Sequence, residues 1–469
     1  MNIVLVTIDC LRRDRCGIYG HHRDTTPTLD ALGREGFVFD NAYATGPVTT
    51  ESFPGILAGR LSAQCVAGEN LYQKRIPDGE PTIASHLQEA GYDTVGVISN
   101  PRIGTHVDTD RGFETFRNLR TDGRSGTVTA DRSRSVLPDL QVGERLYQLR
   151  ESMREHDSVP YRYELPFLGF RTYQYITGWP SVRGERVIDT FLNKLSAADA
   201  PFFGWTHLMD VHGPIHPDSV GDGGFSDGRL LSQFRSHARR VSDVQDVETE
   251  ARYDSAVRYA DSQVKRIVDW LQSNDIWEET ALIVTADHGD ALYDRGIYGH
   301  PQHYTYDELL AVPLIVRVPG EDGGRLSWEF SLGWLHELIT DLCGLKKIEA
   351  PLSLSREHSL TTEATQDEGV LLADSISHYG HTVVARSGAE KHVTQTNKLG
   401  KTAEISIQPA GLYRTDIDPK ERIQSDSVNA ELRDRANEIV VEPNSLNSFT
   451  SGGFDQATMD RLKQLGYAE

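Results

Sequence analysis

The chain has 469 residues, a net charge of −21 and mostly arginine among its basic residues, a balance that argues against nucleic acid or an anionic membrane as partner. Its 38% hydrophobic content is ample for a sizeable core. No apolar run nears the roughly 18 residues of a spanning helix. The first residues run straight into a strand without a basic n-region and cleavage site, so a secretory leader is not expected. Cys10, Cys16, Cys65 and Cys343 show no CxxC pair or disulfide framework, so the expected setting is a reducing cytoplasm.

In chain order, residues 2–9 are apolar and β-branched and predict a buried strand ending at Asp9. Thr26-Pro27-Thr28-Leu29-Asp30 opens a helix running to about Glu35, with Pro27 suited to its first turn. Ile83 to Ala90 reads as a helix and Thr94 to Ser99 as a strand. Residues 118–160 are polar, Arg-rich and weakly periodic and read as an insertion with helical pieces, to which the sequence assigns no chemistry. Val187, Ile188, Phe191, Leu192 and Leu195 recur at helical spacing and lead into strand 202–209. Residues 219–250 are a polar excursion. A second long amphipathic helix spans Ala251 to Leu271, followed by strands at 281–285 and Val312–Val318. This alternation predicts a doubly wound α/β domain with a mostly parallel central sheet over residues 1–345. After about residue 346 short runs such as Thr382–Ala385 and His392–Thr394 predict a smaller C-terminal α+β lobe with an antiparallel sheet, residues 346–469.

Two strands end in chemistry-bearing side chains. The first stops at Asp9, and 281–285 runs into Asp287-His288-Gly289-Asp290. Ligands collect at the carboxyl ends of strands in open α/β sheets, so Asp9, Asp287 and His288 can converge. Two carboxylates and an imidazole suit a divalent cation. Pro47–Arg60 is a hydroxyl-rich turn, with Thr49, Thr50 and Ser52, that enters a short apolar helix. A hydroxyl there sits beside exposed amides and the positive end of the helix dipole. In contact with a metal it becomes a nucleophile; otherwise it is an ordinary cap. Strand 202–209 leads to Asp210 and His212, which straddle one position and are expected to project to the same side. His207, inside the strand, reads as a core or supporting residue.

These segments resemble, nearly end to end and in order, the sulfatase family of the alkaline phosphatase superfamily. The matching motifs include Asn2–Asp14, Thr26–Leu32, Phe37–Tyr43, Gly112–Phe116, Asp287–Asp290, Tyr298–His300, Val312–Arg317, Leu412–Pro419 and Leu462–Tyr467. The resemblance implies a metal-dependent ester hydrolase with Asp9, Thr49, Asp287 and His288 around one divalent cation (Ca, Mn, Mg or Zn). It implies that His212 contacts the transferred anion, and that His300 or His303 serves the leaving group where the family often has a lysine. Asn100 or Arg102 could touch substrate, or simply form a turn. Asp290 reads as a supporting residue and Asp14 as a solvated or capping one.

Departures from the pattern bear on mechanism. Sulfatases carry a Cys or Ser that is oxidised to formylglycine; here that position is Thr49, which cannot be so converted. Phe53 replaces the motif's arginine, and Cys10 stands where many sulfatases have a second metal-binding aspartate. The resulting set resembles the one-metal, threonine-nucleophile sites of phospho-head-group transferases in the superfamily. The sequence therefore points to a hydrolase of sulfate, phosphate or phosphonate esters, with small-molecule or glycan ester substrates. A phospho-head-group transferase acting on a glycan or lipid is the alternative, and a non-catalytic binding protein on the same fold a second one.

Overall fold

The computed structural model describes residues 1–67, 70–122, 182–226, 247–345, 369–396, 408–425 and 427–441. Much of the 118–160 insertion, most of the 219–250 excursion and the Leu462–Tyr467 motif lie outside them. The boundary expected at 345/346 falls against residues 346–368, also outside.

The elements that carry the site are β1 (Asn2–Ile8), α1 (Pro27–Glu35), β2 (Phe37–Tyr43), α2 (Thr49–Ala58), α3 (Ile83–Glu89), β3 (Asp93–Ile98) and β4 (Thr115–Asn118). They continue with α4 (Gly184–Leu195), β5 (Phe202–Leu208), α5 (Val247–Ser273), β6 (Thr280–Ala286), β7 (Leu314–Arg317) and β8 (Gly324–Ser331). The main sheet runs β2-β7-β6-β1-β5-β3-β4, with β8 parallel beside β2. β1 is buried at every position and lies in parallel register between β6 and β5, with Ile8 opposite both Ala286 and Leu208. Every residue of β1, β5 and β6 is buried, as strands covered on both faces require.

Alternation along β5 shows how the two faces are filled. A β-carbon added to Gly204 would strike Phe191 and Leu195 of α4, whereas the next residue, Trp205, packs on the other side against Phe53 of α2. Over the first face α5 packs against both α1 and α4, and α2 and α3 cover the second. The strand expected over Val312–Val318 is broken. Ala311–Val312 and β7 are separated by Pro313, which cannot donate to a ladder, and β7 runs antiparallel to β6 and β2.

The C-terminal lobe is a four-stranded antiparallel sheet in the order β9 (Leu371–Ser377), β10 (Gly380–Ser387), β11 (Glu390–Gln395) and β12 (Gly411–Arg414). It is docked by buried polar contacts. The Asp374 carboxylate accepts the Ser62 and Ala63 N–H groups at 2.7 and 2.8 Å, and Arg386 reaches Tyr43 and Asp307 at 2.5 and 2.6 Å. Among the described residues no helix is long and apolar enough to cross a membrane.

Candidate active site

The register of the sheet places Asp9 and Asp287 side by side, each one residue past the end of its strand. Thr49 opens α2 facing them: its Oγ1 lies 3.4 Å from Asp9 Oδ2 and 3.2 Å from His288 Nε2. Ser52, one turn on, donates instead to the Asp287 carbonyl at 2.6 Å, which fixes the loop. Ligand atoms of Asp9, Asp287 and His288 all lie within 4.8 Å of one another, and all three residues are fully buried.

Asp9 is held by neighbours from separate strands. Asn100 Nδ2 donates to its Oδ2 at 2.9 Å and His207 Nε2 lies 3.1 Å from the same oxygen. A carboxylate only accepts, so that nitrogen carries the proton, and His207 Nδ1 is left to accept from Thr7 Oγ1 at 2.9 Å. Trp205 Nε1 donates to Thr7 in turn at 3.1 Å. Asp287 Oδ1 accepts the N–H groups of His288 and Cys10, whereas its buried Oδ2 accepts no hydrogen bond. Among the described residues no lysine or arginine is paired with either carboxylate. Burial, and next the charge of Asp9, push the Asp287 carboxyl upward. Two buried acids, one oxygen unpartnered and no lysine or arginine among their described partners, fit a divalent cation.

His300 and His212 line the same hollow. The His300 ring centroid lies 4.7 Å from that of His288 and 4.9 Å from that of His212. His300 Nδ1 pairs with Asp290 at 2.9 Å; burial disfavours its charged form, but Asp290 together with Asp9 and Asp287 outweighs burial, and its pKa is raised. Burial pushes His212 down to about 4, so it stands as a neutral ring.

Not every residue singled out in the sequence joins this cluster. His303 lies apart, paired with Ser377 at 2.7 Å and Thr382 at 3.2 Å where the C-terminal sheet docks. Asp210 does not project with His212. The strand ends at Leu208, so the two-residue alternation no longer applies, and Asp210 turns back to accept the Gly184 N–H at the head of α4. Asp14 pairs with Arg12 at 2.7 Å. Asn100 turns inward onto Asp9. Tyr253 was legible only as an apolar helix position, yet its hydroxyl donates to the Cys10 carbonyl at 2.5 Å and accepts the Arg12 N–H at 3.0 Å. No periodicity separates such a tyrosine from a core one.

The sequence model of the sulfatase family matches residues 1–331. The chain belongs to the sulfatase family. Its relatives include iduronate 2-sulfatase of Homo sapiens, 25% identical over 365 residues that cover 68% of this chain and 60% of that protein. An arylsulfatase of Clostridium perfringens is 24% identical, with 68% of this chain and 69% of the other covered. The chain thus spans about 60% of the length of the iduronate 2-sulfatases it matches. Its fold is similar to that of the phosphonate monoester hydrolase of Agrobacterium radiobacter, with a TM-score of 0.61 at 17% identity over 96% of this chain and 95% of that one.

Proposed function

We propose that this sulfatase-family chain is a metal-dependent ester hydrolase in which Thr49 is the nucleophile, and that phosphodiesters and phosphonate esters are better substrates than sulfate monoesters. The observation that carries this reading is the Thr49 hydroxyl, held within 3.4 Å of Asp9 and His288 at the head of a ten-residue helix. Asp9, Asp287, His288 and Thr49 would hold one divalent cation. When bound, it supplies Lewis acidity that lowers the hydroxyl pKa and draws in anionic oxygens.

The chain's own residues then divide the work. The first turn of α2 presents its positive end to the anion. The neutral His212 ring offers a donor for the equatorial oxygens. His300, held by Asp290, is placed to give a proton to the leaving oxygen. Thr49 Oγ1 bonds to phosphorus or sulfur as the bond to the leaving oxygen breaks; the Thr49 proton passes toward Asp9 Oδ2, which accepts it at 3.4 Å, and the leaving oxygen takes the proton of His300. Water then attacks the same centre and gives a proton to His300, and the bond to Oγ1 breaks as Thr49 recovers its own proton. A formylglycine enzyme can discharge its ester by breaking a C–O bond through the aldehyde. Threonine has no such exit, so a threonine sulfate discharges slowly, and the reading therefore favours phosphorus esters. Small-molecule or glycan esters remain the proposed substrates, and the cytoplasm the proposed location.

The test is a panel of p-nitrophenyl sulfate, phosphate, phosphodiester and phosphonate esters, with protein loaded in turn with Mn, Zn, Ca and Mg. Phosphodiester or phosphonate turnover should exceed sulfate turnover. Thr49→Ala should abolish it while leaving the fold intact, a loss of about 4 kcal/mol or more of transition-state stabilisation. Faster aryl sulfate cleavage that survives Thr49→Ala would overturn both the nucleophile and the preference.

A further inference from the structure

We propose that Cys10 is a further ligand of this cation, and that the centre is built for a thiophilic divalent ion of the zinc class. The inference rests on the reading that Asp9, Thr49, Asp287 and His288 hold a cation.

The Cys10 sulfur belongs to two groups of potential ligands, one with His288 and His300, the other with Asp9 and His212; within each group the ligand atoms lie within 4.8 Å of one another. It lies 3.0 Å from Asp9 Oδ1 and 3.5 Å from His300 Nδ1. The thiol hydrogen fills the gap between sulfur and carboxylate that a cation would otherwise fill. Across the site the buried Asp287 Oδ2 is without a hydrogen-bond partner, an open acceptor in the same cluster. Cys10 is itself fully buried and sits at a φ of 64°, a conformation costly for any residue with a β-carbon. Its carbonyl is bound by Tyr253 and its N–H by Asp287, so the backbone is clamped in the form that presents the sulfur to the site. Cys16, by contrast, gives its thiol to the Arg12 carbonyl.

Sulfur changes which ion the site prefers. Carboxylate and hydroxyl oxygens suit Mg, Ca and Mn, whereas thiolate and imidazole favour zinc-like ions. A cluster offering sulfur beside several imidazole nitrogens is mismatched to calcium.

Cobalt(II) reports sulfur ligation directly. Chelator-stripped full-length protein titrated with cobalt should develop a near-ultraviolet sulfur-to-cobalt charge-transfer band at one equivalent. The band should persist when Cys16, Cys65 and Cys343 are all replaced by serine, and vanish in Cys10→Ser. Cys10→Ser and Cys10→Asp should each lower the affinity for zinc relative to manganese by about 10- to 100-fold, the loss typical when a group supporting a metal is removed. Cobalt bound at one equivalent with no sulfur band would overturn the role of Cys10 and leave the oxygen–imidazole site standing. Loss of the band in the triple-serine variant would do the same, without depending on whether Cys10→Ser folds. Failure of cobalt to bind at all would overturn the underlying metal site as well.

Discussion

Phe53 shows how one residue shapes the neighbourhood of the proposed nucleophile. It is fully buried, its ring packed edge-on to His207 at 5.0 Å and tilted against Trp205 at 5.3 Å. Through His207 it supports the residue that holds Asp9. Restoring the family's arginine with Phe53→Arg would bury an unpaired guanidinium among aromatic rings, at a cost of about 3 kcal/mol or more. The expected outcome is a lower denaturant midpoint and no gain of aryl sulfate turnover; a stable variant that gains sulfatase activity would contradict it. His207 stands one step from the proposed metal ligands, beside Asp9. His207→Gln can keep a hydrogen bond but not the Thr7–His207–Asp9 relay, so zinc affinity should fall about 10- to 100-fold. Competition against a metallochromic chelator measures this, and a change under about twofold would remove His207 from the supporting role.

At the scale of elements, the docking of the C-terminal sheet turns on a buried histidine. Burial pushes His303 down to about 3, with His381 and Lys74 adding to the push and Asp374 opposing it. Its ring faces the Ser377 and Thr382 hydroxyls and its own N–H donates to Ser375. Between pH 3 and 6.5 the unfolded chain binds a proton here that the folded chain does not, so this stability is complete above about pH 6.5 and is lost as pH falls. At pH 5 the loss from this group is about 2 kcal/mol. His303→Gln should shrink the difference between urea midpoints at pH 7.5 and pH 5. An unchanged difference would show that other groups govern acid sensitivity. The same surface touches α2, because the Glu51 carboxylate, two residues past Thr49, accepts from Gln302 Nε2 and from the Ile376 N–H. The sheet thus braces the helix that carries the proposed nucleophile.

For the whole molecule, these contacts lead to the expectation that the two lobes unfold as one cooperative unit. Leu371, Val383, Val393 and Tyr413 of the small sheet belong to the same apolar cluster as Val38 and Phe330 of the main one. Lys391, fully buried, pairs with Glu421 and donates to the Thr305 carbonyl. A fragment of residues 1–345 would expose that cluster and leave the Glu51 and Asp307 carboxylates without their partners from the small sheet. It should therefore be insoluble or lack the far-UV signature of the full chain. A stable, active 1–345 fragment from limited proteolysis would argue against this coupling.

The sequence alone determined the parallel core, because β1, β5 and β6 are largely apolar runs long enough to be buried on both faces, and β1 and β6 break off directly at an aspartate. It also placed Asp9, Asp287 and His288 at one sheet end, since strand ends in a parallel sheet lie on one edge. Tertiary structure decided what periodicity cannot express. Pro313 split a predicted strand and β7 reversed direction. The turn after Leu208 sent Asp210 and His212 to different neighbours. The choice between His300 and His303 depended on a loop of few residues, which delivered one ring to the Asp9 cluster and the other to the small sheet. Asn100 and Cys10 were named from the sequence and Tyr253 was not, but the partners of all three come from contacts between residues some 90 to 290 positions apart. Such contacts are set by three-dimensional packing, and no local pattern in the chain encodes them.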